Sequence, residues 1–218
     1  MGTGLTLYGS AHSPFVRRVL MTLFETGVEG FEFKEIHTAK GENRTPEYLA
    51  MNPFAKMPVL DDNGQFLYES RAIMRYIAEK HAESHPDLVG RDALERALVN
   101  QWIDVEGHSV TEQVAVVVEE CFLKQLMGTG EPDKDRADAA KEKLAQMFDV
   151  YEKHLEGREY LVGGRFTLAD LTHLPYTDVL FPAGAGDLLT TRPNVARWWE
   201  RITARPAWKK VQQLGPIP

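Results

Sequence analysis

Apolar and polar positions repeat along this chain with two periods, and the period changes part-way along it. "LTLY" (Leu5 to Tyr8) reads as a short buried strand, and "FEFKEI" (Phe31 to Ile36) alternates as a second. Between them, "PFVRRVLMTLFETG" has a helical pattern that Gly27 closes at the C′ position. A polar stretch, "AKGENRTPEYLAMNPFAK", interrupts the pattern and reads as a loop. "MPVLDDNGQFLYES" then sets two apolar runs about Asn63-Gly64, the dipeptide favoured in tight β-hairpins. "ESRAIMRYIAEKHA" is helical, with Ile73, Met74 and Ile77 on one face.

The order strand, helix, strand, loop, strand, strand, helix is the layout of a thioredoxin-like α/β domain, assigned to residues 1–82. Residues 83–91, within "HAESHPDLVGRD", read as a linker. Beyond it strand signals vanish. Helical patterns at 92–127, 133–156, 167–181 and 193–213, broken by "GTGEPD" and "AGAGD", predict an all-helical domain over 92–218. In "FTLADL", Thr167 and Asp170 have capping-box spacing at the start of a buried helix, a structural signal.

Composition narrows the function. With 43% hydrophobic and 26% charged residues, the chain has the make-up of an ordinary globular protein with a proper core. Acidic residues outnumber basic ones 32 to 25, a formal charge of −7 that argues against nucleic acid as a partner. Cys121 is the single cysteine, so neither an intrachain disulfide nor a cysteine metal site can form, which suits a reducing compartment. The N-terminus has neither a basic segment nor a long apolar one, and no stretch nears the ~20 apolar residues of a membrane span. A cytoplasmic protein is expected.

The motifs "SPFVRRVL", "NPFAKMPVL", "ESRAI", "LVGGRFTLADL" and "RPAWKKV" occur in an order that resembles a cytosolic glutathione S-transferase over nearly the whole chain. The likeness is greatest to the phi class of plants, while "SPF" is similar to the tau class. It implies conjugation of the glutathione thiolate to hydrophobic electrophiles, with glutathione as cosubstrate, no metal and no cofactor. It also implies glutathione-dependent reduction of organic hydroperoxides, and a homodimer. The rival reading is a carrier of apolar ligands such as flavonoids on the same fold.

Ser13 precedes Pro14 as a helix N-cap precedes an N1 proline. His12, its neighbour, is poorly placed to act as a base that would make the serine a nucleophile. The resemblance implies instead that Ser13 donates a hydrogen bond to the glutathione sulfur and keeps it as a thiolate. Tyr8 and Ser10 are rival hydroxyls, and Tyr8 lies inside the predicted strand. Arg17 and Arg18 read as structural charges.

The resemblance further implies a cis peptide between Met57 and Pro58, with the Met57 backbone pairing with the cysteinyl part of glutathione. Glu69 would accept from the γ-glutamyl ammonium and Ser70 would hold its carboxylate, both at a helix start. Asn43, Arg44 and Lys56 would meet the glycine carboxylate. Phi-class proteins usually have histidine in place of Asn43 and often glutamine in place of Lys56, so the binding balance is expected to differ. Phe54 is expected at the dimer interface, as an aromatic anchor. His12, Phe15, Phe122 and Phe181 are the candidates for the electrophile pocket. Cys121 reads as a small buried hydrophobe.

Overall fold

The computed structural model describes residues 4–85 and 87–215. The chain divides into two compact units: one runs to Val89 and resumes at Arg205, the other spans Gly90–Ala204. Pro86, inside the expected linker, lies outside the described residues.

In the first unit β1 (Leu5–Gly9) pairs parallel with β2 (Glu32–Glu35) and antiparallel with β3 (Val59–Asp62), which pairs antiparallel with β4 (Gln65–Tyr68). The sheet order is β2-β1-β3-β4, and helices α1 (Pro14–Glu25), α2 (Pro46–Met51) and α3 (Ser70–Lys80) complete the α/β motif. Asn63 and Gly64 take φ of 51° and 89°, the positive values that a two-residue hairpin turn demands. Leu5, Leu7 and Gly9 on β1 are buried, whereas Thr6 and Tyr8 face the other way. Gly9 is where α1 comes closest, since a Cβ there would lie 2.5 Å from Val16 Cγ2. α1 closes as expected at Gly27, with φ of 65° and a Val28 amide that donates to the Leu23 carbonyl.

Two features differ from the sequence reading. The polar stretch taken as a loop contains α2: Thr45 Oγ1 accepts from the Tyr48 amide and Pro46 occupies the first turn, a start signal hidden by the short run behind it. The segment expected to be helical over 193–213 is two helices, α10 (Pro193–Thr203) and α11 (Pro206–Gln212). The break is local chemistry: Pro206 has no amide proton to donate and holds Arg205 in extended backbone. α11 packs on α1, with Trp208 and Val211 fully buried, and Arg205 pairs with Glu25 through two bonds of 2.6 and 2.7 Å.

The second unit is all helical among its described residues: α4 (Ala93–Val105), α5 (Thr111–Val118), α6 (Lys124–Met127), α7 (Lys134–His154), α8 (Leu168–Thr177), α9 (Asp187–Thr190) and α10. The run 93–127 is continuous but changes pitch twice, through π-helical turns at Glu106–Val110 and Glu119–Leu123. Each turn carries a buried carboxylate. Glu106 accepts from the Thr111 and Thr172 hydroxyls at 2.6 and 3.0 Å, and Glu120 accepts from the Lys124 ammonium and the Asp133 amide at 2.6 and 2.8 Å. The capping box of α8 is present: the Asp170 carboxylate accepts from the Thr167 amide at 3.0 Å, and also from the Leu161 amide and the Trp198 indole at 3.0 and 2.9 Å.

Candidate functional site

Strand register gathers the expected residues at one edge of the first unit. β1 ends at Gly9 while its partner β3 begins at Val59, opposite Tyr8, and β3 starts opposite Tyr68, where β4 ends. The segments that leave the sheet there are Ser10–Ser13, Met57–Pro58 and Glu69–Ser70. Three stretches far apart in sequence therefore converge because of antiparallel pairing. The Met57–Pro58 bond is cis, as expected.

Ser13 sits at the N-cap of α1 in extended backbone, and its side chain makes no capping hydrogen bond. Its amide donates to the Ser10 carbonyl and its carbonyl accepts from the Arg17 amide, both at 2.9 Å. The hydroxyl therefore takes no part in the cap. Arg17, buried on α1, braces the loop by donating from Nε to the Ala11 carbonyl at 2.7 Å and from Nη2 to the Gly215 carbonyl. The Ser10 amide donates to Met57 Sδ at 3.2 Å, which ties this loop to the cis bond. Tyr8 lies within β1, where Lys34 donates to its hydroxyl at 3.5 Å and stands 5.2 Å from its ring centre.

The loop that presents Lys56 and Met57 hangs from side chains the sequence reading did not single out. The Lys56 carbonyl accepts from the Tyr48 hydroxyl at 3.0 Å and from Asn52 Nδ2 at 2.7 Å, and Asn52 Oδ1 accepts from the Phe54 amide. Tyr48 and Asn52 are both buried, and burial pushes the Tyr48 phenol up to about 12. A buried tyrosine and asparagine inside a polar loop were the available signal. Asn43 donates to the Ala55 carbonyl at 2.7 Å and so acts as a strut for this loop, while the side chains of Arg44 and Lys56 are exposed.

Glu69 and Ser70 open α3 as expected. Glu69 is exposed at the N-cap, makes no capping bond, and holds φ of 69° and ψ of 107°, a conformation unusual for a residue with a side chain. Ser70 is buried, and its Oγ accepts from Arg18 Nη1 at 2.8 Å.

Of the aromatic candidates, Phe15 is half-buried in the first turn of α1, with the Arg18 guanidinium 5.7 Å from its ring centre, and His12 is exposed in the preceding loop. Phe122 and Phe181 belong to the second unit. Phe122 lies half-buried in a π turn, and Phe181 stacks on Trp199 at 5.9 Å over Gly186. Phe54 is 64% exposed and meets Tyr68 edge-on at 5.8 Å, so it does not plug the core of its own chain. Cys121 is half-buried beside Phe122.

Among the described residues no helix is long and apolar enough to cross a membrane. The family model described as glutathione S-transferase, N-terminal domain matches residues 7–85, and its C-terminal counterpart matches residues 111–206. The chain belongs to the glutathione S-transferase family. Glutathione S-transferase F10 of Arabidopsis thaliana is 43% identical to this transferase over 215 residues, covering 98% of this chain and 99% of the relative. The crystal structure of glutathione transferase F2 from Populus trichocarpa matches with a TM-score of 0.92 at 38% identity, covering 96% of this chain and 98% of that one. Glutathione S-transferase I from maize, solved in complex with an atrazine glutathione conjugate, matches at 0.89 and 34% identity, covering 97% of each chain. The transferase is thus related over its full length to plant phi-class enzymes.

Proposed function

We propose that the transferase binds glutathione along the edge formed by Ser10–Ser13, Met57–Pro58 and Glu69–Ser70, stabilises its thiolate with Ser13, and adds that thiolate to hydrophobic electrophiles. The observation that carries the reading is the Ser13 hydroxyl, which stands at the positive end of α1 without capping it. Lowering a thiol pKa from about 8.5 by roughly two units takes about 2.7 kcal/mol of preference for the thiolate. A helix N-terminus supplies about 0.3–2 kcal/mol and a hydrogen bond to a charged group about 1.5–3 kcal/mol. Their sum, about 1.8–5 kcal/mol, brackets the requirement. The Met57 backbone pairs with the cysteinyl unit, Glu69 accepts from the γ-glutamyl ammonium and Ser70 holds the adjacent carboxylate. Lys56 and Arg44 supply positive charge for the glycine carboxylate, and Asn43 has one amide proton beyond the one given to Ala55.

The electrophile then meets a preformed nucleophile at short range, which is the rest of the catalysis. Half-buried Phe15 offers it an apolar surface two residues from Ser13. The same thiolate can attack a hydroperoxide, releasing the alcohol and leaving glutathione sulfenic acid. A second glutathione converts that to the disulfide and water. In this reading no metal or cofactor takes part, Phe54 anchors a homodimer, and the enzyme works in the cytoplasm.

Turnover of an activated aryl halide with glutathione, followed by halide release, tests the reading. Tight binding of an apolar dye without turnover would favour the carrier instead. Ser13→Ala is expected to raise the pKa of bound glutathione by about one unit, because the helix end still acts, followed by the ultraviolet absorbance of the thiolate, with affinity little changed. An unchanged titration would transfer the role to another hydroxyl.

A further inference from the structure

Arg18 is fully buried on α1, five residues beyond Ser13, yet its guanidinium reaches across to the start of α3. Arg18 Nη1 donates to Ser70 Oγ at 2.8 Å. A serine hydroxyl has one proton and two lone pairs, whereas a guanidinium has donors only. Once Arg18 donates to Ser70, the Ser70 proton cannot point back at Arg18 and must serve an acceptor elsewhere. Among the described residues that proton has no acceptor.

We infer that Arg18 is a positioning residue for the carboxylate end of glutathione: it fixes Ser70 as a hydrogen-bond donor aimed out of the protein, toward an anion. The inference rests on the proposed placement of the γ-glutamyl carboxylate at Ser70. A buried charge is costly unless it is bonded, and this one lies directly behind the hydroxyl that opens α3. The N-terminus of α3 favours negative charge at the position the Ser70 proton serves. The polarity of the hydroxyl is set before any ligand arrives. Arg18 itself does not touch the ligand in this arrangement; its effect passes through Ser70.

The arrangement predicts selectivity for one functional group. Arg18 matters for a ligand with a carboxylate beside the γ-glutamyl amine and is silent for one without it. Two probes separate these cases: glutathione, and its analogue with 4-aminobutyrate in place of the γ-glutamyl residue, which lacks only that carboxylate. The variants are Arg18→Met, Arg18→Lys and Ser70→Ala in the full-length protein. Arg18→Lys keeps a cation in the buried site and carries the test if Arg18→Met does not fold. The shorter lysine is expected to lose the Ser70 bond.

The expected result is a loss of about 10- to 100-fold in affinity for glutathione in either Arg18 variant, the range set by one hydrogen bond to a charged group. The loss appears in KM for glutathione, with kcat at saturation moving far less. Affinity for the analogue stays at the wild-type value. Combined with Ser70→Ala, the Arg18 change adds little further loss, since both act on one contact. Equal losses for glutathione and the analogue would overturn the inference and leave Arg18 as packing alone. Full additivity with Ser70→Ala would overturn it too, because Arg18 would not then act through Ser70. If the wild-type protein itself fails to distinguish the two probes, the carboxylate is not at Ser70, and the binding reading falls together with the inference.

Discussion

Glu69 illustrates how one residue can serve binding at the expense of folding. Its φ of 69° and ψ of 107° lie outside the regions open to residues with a Cβ, and such conformations cost about 1–3 kcal/mol. Glycine adopts them freely but loses more chain entropy on folding, about 0.5–1 kcal/mol. Glu69→Gly is therefore expected to raise stability by about 1 kcal/mol while glutathione affinity falls at least tenfold. Glu69→Gln keeps the strain and loses only the charge at the start of α3, so its stability should fall by no more than about 1 kcal/mol while its affinity falls. Urea unfolding and glutathione titration of the two variants separate strain from binding. A destabilised Glu69→Gly would mean that the carboxylate carries structural load. Ser13 shows the reverse relation: its hydroxyl makes no capping bond, so Ser13→Ala should leave stability nearly unchanged while moving the thiolate titration.

Among elements, the segment from α2 to β3 governs the site's geometry, because two buried side chains suspend the Lys56 carbonyl just before the cis bond. Tyr48→Phe removes one of the two donors and leaves the ring in place. It is expected to cost about 1 kcal/mol, or about 2–4 °C in Tm, with a higher KM for glutathione. A variant with unchanged KM would show that Asn52 alone holds the loop. This segment was also the least legible part of the sequence. Its anchors are a tyrosine and an asparagine whose partners are backbone groups of the same loop, and no hydrophobic period marks them. The hairpin at Asn63-Gly64 and the capping box at Thr167 could be read directly, since each depends on two or three neighbouring residues. The Arg18–Ser70 contact could not, because 52 residues separate its partners and only the fold brings them together. Arg17 and Arg18 read as structural charges, which describes Arg17 well. The break at Ala204–Arg205 was written in Pro206.

At the scale of the whole molecule, hydrogen-bonded carboxylates divide the pH axis into two regions of opposite slope. Glu120 is held down to about 2, first by the Lys124 ammonium and then by the Asp133 amide and Arg136. Asp62 is lowered by Lys80 and Tyr76, and Glu95 by the Arg91 amide and Arg165. Each has a lower pKa in the native state, so the stability it contributes is complete above the ordinary carboxylate range and is lost as the pH falls through it. Asp170 behaves oppositely: burial raises its carboxyl from 3.8 to about 6, against the four hydrogen bonds that favour its charge. Between those values the native state holds a proton that the unfolded chain has released, so stability falls as the pH rises from about 4 to about 6, then levels off. A shift of roughly two units corresponds to about 3 kcal/mol over that window. Asp170→Asn has one acceptor oxygen where the carboxylate has two, so it should be less stable at every pH, but it cannot titrate. Urea midpoints of both proteins between pH 4 and 7 isolate the effect, since the acid-side carboxylates are common to both. The wild-type advantage is expected to shrink from pH 4 to pH 6 and hold steady above it. An advantage that grows across that window would mean Asp170 is ionised in the native state well below pH 6, its hydrogen bonds outweighing its burial.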